Sequence, residues 1–354
     1  MSPSVRVAVV GAGWWSSSHH LPALVAHPGA ELVGVADSDS ARAARVAASY
    51  GVPAFSSLDD VVAAGRAEAA VIATPHATHH ALTRQALTQG LHVLVEKPLA
   101  LTSGDAFDLM RLAESRRRHL SVGYTHQYED VADAVRAAVH ADIGELVQVT
   151  VEYSSRAGRL FAAAEAGAAS TTVDVPPGQP HPEAYSAANG GGQAHTQLTH
   201  ALGMLCWTTG RELSDVAAFT DHRGFEVDVS DVAAFTLSGG ATGVAVATGA
   251  TPAGVPVRQH IRYAGTEGTV SHDLFRTEAH VHRTDGATRA VRHDQHQAPY
   301  RAGEPARAFI DLVHGDGPNR GPARPAAAAV AAVEAILESA RRGTPVRVAQ
   351  LPPL

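Results

Sequence analysis

The sequence predicts an α/β protein of two domains: a doubly wound parallel sheet, then a domain whose strands have one polar face. Three observations predict it. From Val5 to Arg118, short apolar runs rich in valine alternate with helix-compatible stretches. A Gly11-Ala12-Gly13 turn follows the first run at once. From Val147 to Tyr153, by contrast, apolar and polar residues alternate strictly. The 354 residues correspond to roughly two domains of about 150 residues each, ample to bury a core.

The N-terminal elements follow in order. Val5 to Val10 is apolar throughout, as suits a strand buried on both faces. Ser17 to His27 is helix-compatible, and Glu31 to Ala36 is a second strand ending at Asp37. Ser40 to Tyr50 reads as a helix stopped by Gly51. Ala69 to Ala73 is a buried strand, His79 to Gln89 a helix, Leu91 to Val95 a strand and Ser103 to Arg118 a helix. Such alternation with short connections means a parallel, doubly wound sheet.

In the second part, Val147 to Tyr153 is a strand with one buried face, as in an antiparallel sheet backed by helices. Asp231 to Leu237 and Thr242 to Thr248 flank Ser238-Gly239-Gly240-Ala241, a hairpin signal. Arg258 to Tyr263, Thr269 to His272 and Ala279 to Arg283 read as further strands. Arg324 to Arg342 is an Ala-rich helix with Arg341 and Arg342 in its last turn, Gly343 to cap it and Pro345 beyond. Arg156 to Asn189, rich in Ala, Pro, Gly and Ser, reads as a long loop. Two readings of it stand side by side: a linker, or a lid over a substrate site.

Composition excludes several classes. With 28 Lys plus Arg against 35 Asp plus Glu, the net charge is −7, which argues against non-specific binding to nucleic acid or an anionic membrane. The single cysteine, Cys206, excludes an internal disulfide and a four-cysteine zinc site. No stretch approaches the roughly 20 apolar residues of a membrane helix. Met1 to Val10 has no long apolar run, so no signal peptide is visible and a cytoplasmic location is expected.

The first turn reads Gly11-x-Gly13-x-x-Ser16 between a strand and a helix. In a dinucleotide-binding (Rossmann) fold the first glycine permits the tight turn, the second lets the backbone approach a pyrophosphate, and the third position allows close helix packing. Asp37 stands where an acid would hold a ribose 2′-hydroxyl. Its charge repels a 2′-phosphate, which favours NAD, while Ser38 and Arg42 keep NADP open. Trp14 and Trp15 either border the cofactor or pack. Thr74-Pro75-His76 and Glu96-Lys97-Pro98 follow strands on the same carboxyl edge, where such folds bind ligands.

These residues resemble the Gfo/Idh/MocA family of NAD(P)-dependent oxidoreductases. The match rests on Gly11-Ala12-Gly13, Asp37, Thr74-Pro75 with His79, and above all the run Gly90 to Leu99 containing Glu96-Lys97-Pro98. It continues through Gly123-Tyr124, Gly144-Glu145-Leu146 and Gly265-Thr266-Glu267-Gly268. The resemblance implies an N-terminal Rossmann domain over residues 1–123. It implies a C-terminal α/β domain over residues 124–354, with a large, mostly antiparallel open sheet. It further implies NAD or NADP bordered by Gly11, Gly13, Trp14, Trp15, Asp37, Thr74, Pro75, His79, Glu96 and Lys97. The implied reaction interconverts a secondary alcohol and a ketone on a sugar, cyclitol or related polyol, and the implied assembly is a homodimer or homotetramer.

Gly190-Gly191-Gly192 precedes a helix on which Gln193, Thr196, Gln197 and His200 recur at one-face spacing. In the family, a Gly-rich turn leads to an Asp and, four residues later, a His. His200 matches the His, and Thr196 stands where the Asp is expected. Threonine carries no charge to hold an imidazolium, so the expectation is His200 as base, Lys97 polarising the substrate oxygen, and Thr196 positioning substrate. His126, in the loop after Gly123-Tyr124, is a substrate contact or a structural hydrogen-bonder. Tyr153 and Gln193 are further substrate candidates, and Cys206 reads as core.

Two other functions stay open. The cofactor could be used transiently for elimination, epimerisation or glycoside cleavage, or the protein could be a non-catalytic NAD(P)-binding regulator. The 21 histidines invite a metal reading, but they are scattered and lack HExxH or cysteine partners. No metal is expected. His181, in the Pro-rich stretch, is one whose position matters to the site.

Overall fold

The computed structural model describes residues 3–168, 182–292 and 300–351. The first sheet holds β1 (Val5–Val10), β2 (Ala30–Ala36), β3 (Ala54–Phe55), β4 (Ala69–Ile72), β5 (His92–Val95) and β6 (Leu120–Val122). Its order is β3-β2-β1-β4-β5-β6, and every pairing is parallel. The strand order reverses between β1 and β4, so a crevice opens beyond their carboxyl ends. Gly11 and Thr74 stand there.

Helices α1 (Leu21–Val25), α2 (Ser40–Tyr50), α3 (Leu58–Ala63), α4 (His79–Thr88) and α5 (Ser103–Arg116) connect these strands. Local chemistry sets their ends. Asp39 accepts from the Arg42 N–H at the start of α2, and Gly51 closes it at φ 66°. The first turn is tighter than an ordinary loop. A Cβ on Gly11, at φ +98°, would stand 2.3 Å from the Ala73 carbonyl oxygen, so no larger residue fits. After it comes a π-helical turn, Ser16–His20, with the Ser16 hydroxyl donating to the Gly11 carbonyl.

The second sheet is built from β7 (Leu146–Ser154), β8 (Leu213–Asp221), β9 (Ser230–Leu237), β10 (Thr242–Thr248), β11 (Gln259–Gly265), β12 (Gly268–Asp273), β13 (Glu278–Arg283), β14 (Thr288–Arg292) and β15 (Val346–Arg347). The order is β14-β13-β12-β11-β7-β10-β9-β8-β15. Only β7 and β10 run parallel; the other neighbours are antiparallel. One face is backed by α6 (Asp130–Ala141), α8 (Thr199–Thr209) and α10 (Ala323–Arg342). The other face is open.

Two elements depart from expectation. Part of the stretch read as a loop is α7 (Gly158–Ala168), because its Ala-rich half carries no Pro before the cluster at Pro176. Short 3₁₀ turns follow at Pro182–Tyr185 and Ala187–Asn189; His181 and the rest of 169–181 lie outside the described residues. Second, α9 (Glu304–His314) returns to the first sheet, packing Phe309 and Ile310 against Val7 and Val9. A single core then runs from β4 and β5 through α5, α8 and α10 into the second sheet.

The helix carrying His200 starts irregularly. Ala194–Leu198 is a π turn that runs into α8. Its first N–H, on Ala194, donates to Asp228 Oδ2 at 2.7 Å, and the Gln193 N–H donates to the Asp228 carbonyl at 2.9 Å. Gly192, at φ +99°, leaves no room for a Cβ, which would lie 2.1 Å from Asp228 Oδ1. Beside this cap sits Asp231, buried, with neither oxygen hydrogen-bonded among the described residues. Burial first, then the Asp228 charge, pushes its carboxyl well above the ordinary range.

Asp231 is therefore protonated when folded at neutral pH and ionised when unfolded. The linked stability is complete below the ordinary carboxylate range and is lost as pH climbs toward the raised value. Asp231→Asn, which keeps the neutral form, should gain Tm relative to the wild type progressively from pH 5 to pH 8 in thermal denaturation. A difference that does not change with pH rules this out.

Candidate active site

The crevice is lined from the first sheet by the ends of β1, β4 and β5. Gly13 faces open space, with nothing within 4 Å of where a Cβ would stand, so backbone N–H groups are accessible to a bound phosphate. Trp14 and Trp15 are half-buried next to it. Thr74, whose Oγ1 lies 2.7 Å from Thr78 Oγ1, and exposed Pro75 form the rim after β4.

Asp37 is almost fully subscribed. Its Oδ2 accepts from Ala12 N–H (2.8 Å) and Arg42 Nε–H (3.0 Å), and its Oδ1 from Asp39 N–H and Arg42 Nη2–H (both 2.9 Å). An ionised carboxylate offers about four lone-pair sites, so a ribose hydroxyl takes one only if a present donor yields it. Arg42, held outward by Asp37, is the donor that can move.

Two residues expected at the cofactor also hold the site together. His79 is fully buried, with Nδ1 2.7 Å from the Pro98 carbonyl and Nε2 2.9 Å from the Thr74 carbonyl. It ties the loop after β4 to the loop after β5. Glu96 is buried, and its Oε1 accepts from Trp15 Nε1–H at 2.8 Å and lies 2.9 Å from His20 Nε2. Burial raises its carboxyl, but the bonds from His20 and Trp15 and the Lys97 charge outweigh that and leave it below the ordinary range. Gly123 is required beneath it, since a Cβ there would meet Glu96 Oε1 at 2.6 Å.

Lys97 crosses the cleft. Its Nζ donates to the Thr196 carbonyl at 2.9 Å. Burial brings it down to about 8, against the pull of Glu96. The Thr196 side chain does not face a pocket as one-face spacing suggested. It is buried and its hydroxyl donates to the Gly192 carbonyl at 2.5 Å, because the π turn breaks the regular spacing. Its contribution is its backbone carbonyl. Gln193 is likewise corrected: fully buried, with Oε1 accepting from Ser155 Oγ–H at 3.2 Å and Nε2 donating to the Tyr153 carbonyl at 3.5 Å, it fastens the helix to β7.

His200 and the rings around it form the far wall. Tyr153 stacks on it (centroids 6.2 Å, 3° between planes), and Tyr124 and His126 stand edge-on at 6.0 and 6.3 Å. Burial, then Lys97, His126 and His76, push His200 well below the ordinary histidine range, so it is neutral at pH 7. Its Nδ1 is buried without a partner among the described residues. His126 pairs with buried Glu129 (Nδ1 to Oε1, 3.1 Å) and meets Tyr300 edge-on at 5.2 Å.

Sequence reasoning assigned no role to Glu129, Tyr300 or His20, and placed His76 only on the ligand-binding edge. His76 Nδ1 lies 3.1 Å from the Gly190 carbonyl, bridging the cleft. Glu129 was signalled by its place three residues after His126. Tyr300 had no local signal, since only the chain's return through α9 brings it there. Among the described residues, no group of three or more His, Cys, Asp or Glu side chains is arranged to hold a metal ion. None of their helices is long and apolar enough to cross a membrane.

Comparison with known proteins places this geometry. Residues 5–124 match a family model described as an oxidoreductase family with an NAD-binding Rossmann fold, and residues 133–271 match the GFO/IDH/MocA C-terminal domain. An inositol 2-dehydrogenase from Leifsonia xyli subsp. xyli is 38% identical over 148 residues, 41% of this chain and 44% of that protein. A dTDP-3,4-didehydro-2,6-dideoxy-alpha-D-glucose 3-reductase from Streptomyces antibioticus is 36% identical over 157 residues, 43% of this chain and 47% of that protein. The chain thus spans under half the length of these curated relatives. Among solved structures, GenD2 from gentamicin A biosynthesis, in complex with NAD, superposes with a TM-score of 0.79 at 25% identity, covering 99% of this chain and 98% of that one. The WlbA dehydrogenase from Bordetella pertussis shares the fold, with a TM-score of 0.77 at 22% identity over 99% of both chains. With both family models matched in sequence order and both sheets present, the chain belongs to the Gfo/Idh/MocA family of NAD-binding oxidoreductases.

Proposed function

We propose that the protein is an NAD(P)-dependent oxidoreductase that interconverts a secondary alcohol and a ketone on a sugar, cyclitol or related polyol. The observation that carries this reading is Lys97, a half-buried ammonium reaching from the cofactor edge to the helix that bears His200. The substrate class rests on the named activities of the inositol and dTDP-sugar relatives.

The residues fit the cofactor. Gly11 permits the turn, Gly13 leaves space for a pyrophosphate, and Trp14, Trp15, Thr74 and Pro75 border it. When bound, the nicotinamide supplies hydride transfer. The protein's own part is proton handling and orientation. Lys97, at about 8, donates to the substrate oxygen and stabilises charge that develops there. His200, neutral, offers a lone pair beside it, and the Tyr153 ring fixes its plane. His126 and Tyr300 complete the wall.

The test is NAD binding by calorimetry, followed by turnover of a panel of sugars, cyclitols and nucleotide sugars. Lys97→Ala should lower kcat by about 10²-fold or more while changing the NAD Kd far less. In the reducing direction the wild type should lose rate above pH 8, as Lys97 deprotonates. A protein that binds no nicotinamide nucleotide is not this enzyme.

Cofactor choice rests on Arg42. Removing it frees Asp37 for the ribose hydroxyl and deletes a cation held beside it. Arg42→Ala should therefore raise the ratio of NADP to NAD Kd by about tenfold or more, read by fluorescence titration. An unchanged ratio removes Arg42 from the specificity.

We also propose a homo-oligomer formed through the open face of the second sheet. Phe219, Val232 and Val246 stand opposite one another on β8, β9 and β10 and are 77%, 47% and 38% exposed. A cross-strand apolar row of this kind is a ready contact surface. Phe219→Glu should shift the mass in sedimentation toward the monomer; an unaffected mass rejects this face.

A further inference from the structure

The proton acceptor opposite Lys97 needs a counter-charge, and His200 lacks one. The carboxylate expected four residues before it is Thr196, whose hydroxyl is engaged with Gly192. His200 Nδ1 has no partner among the described residues, and the charge of the Lys97 ammonium opposes its protonation.

The second imidazole in the cleft is built differently. His126 Nδ1 lies 3.1 Å from Glu129 Oε1, with side chains only 7% and 0% exposed. An ionised carboxylate only accepts, so Nδ1 carries the hydrogen and Nε2 presents its lone pair. Nε2 has no hydrogen-bond partner among the described residues. Glu129 is held in turn: Arg320 Nη2–H donates to its backbone carbonyl at 3.2 Å, while its own Oε2 has no donor among the described residues.

We infer that the Glu129–His126 pair takes up the hydroxyl proton of the substrate, with His126 as a catalytic residue and Glu129 positioning it from behind. This deepens the oxidoreductase reading and rests on it. The substrate O–H bond breaks and its proton forms an N–H bond at His126 Nε2. The electron pair left on oxygen closes the carbonyl as the hydride departs to the nicotinamide, the named oxidant. The imidazolium so formed faces the Glu129 carboxylate and later yields its proton to water.

The other groups facing His126 leave that carboxylate as its counter-charge. His200 from α8 is neutral. His272 from β12, brought down to about 3 by burial and then by His126, is neutral as well. The Tyr300 phenol, pushed above its ordinary range, stays un-ionised. Lys97 and Arg320 are the cations nearby, and Arg320 is itself paired with Asp133 at 2.6 Å.

The test begins without any ligand. In ¹⁵N-histidine-labelled protein, the imidazole signal missing from His126→Asn identifies His126. It should show the Nδ1–H tautomer in the wild type. In Glu129→Gln its titration should move down by about one pH unit or more, and Glu129→Asp should restore it. With NAD and an accepted alcohol, Glu129→Gln should shift the acid limb of kcat in the same direction and lower kcat by about tenfold or more, with KM within about twofold. An imidazole titration unmoved by Glu129→Gln overturns the inference. So does an acid limb that stays in place in Glu129→Gln and vanishes only in His200→Asn. A wild type that binds NAD and fails on every alcohol defeats the oxidoreductase reading, while the ligand-free titration still decides whether the pair exists. Should Glu129→Gln unfold, Glu129→Asp and His126→Asn carry the same two readouts.

Discussion

An ammonium removed from water requires an acceptor, and Lys97 has the Thr196 carbonyl at 2.9 Å. Desolvating an unpaired cation costs several kcal/mol, so this contact constrains both ends. The lysine is fixed by β5 and by Glu96, which is clamped by Trp15 and His20. The carbonyl is fixed by a π turn, where the regular hydrogen-bond ladder is interrupted. That turn exists because Asp228 caps Ala194 and because Gly192 lets the chain pass close to that carboxylate. This charged hydrogen bond joins the His76–Gly190 and Ser103–Glu334 contacts in holding the two domains in register over a continuous apolar core.

How much of this was legible depended on whether the signal was local. Buried parallel strands such as β1 and β4 are apolar on both faces and bounded by turns, and they read directly. The alternation in β7 gave its half-buried face. The glycines at 11 and 13 and the Glu96-Lys97-Pro98 run read as an expected cofactor edge. What local pattern could not show were effects of long-range contact. Thr196 and Gln193 sat on one helical face only if the helix kept 3.6 residues per turn, and the π turn removed that premise. Nor could local pattern show that His79 and Glu96, expected at the cofactor, are also tied by hydrogen bonds to Pro98, Thr74, Trp15 and His20 on other segments.

The same reasoning explains the histidines. Sequence spacing showed no metal-ligand pattern, yet folding brings His76, His126 and His200 to one cleft from three separate elements. Their environments then distinguish them. His76 is desolvated and bonded to the Gly190 carbonyl, which leaves it neutral and bridging. His200 is desolvated and faces a cation. Only His126 backs onto a carboxylate. Identical side chains therefore meet different surroundings, set by which atom lies behind each ring.

Charge balance makes the substitution at 196 intelligible. A carboxylate at that position would lie one helical turn from His200 and beside Lys97, neutralising the ammonium and holding an imidazolium at once. Thr196 does neither, and on the proposed reading each task passes to its own acid. Glu96, on the residue preceding Lys97, offsets the ammonium from within the first domain and resists its loss of charge. Glu129, at the start of α6, stands behind His126 on the opposite wall. The two acids are separated by the cleft, so a proton gained on one side need not be lost on the other. A site arranged this way can keep Lys97 cationic toward the substrate oxygen while an imidazole across from it changes charge, which is what alcohol oxidation requires of its proton carriers.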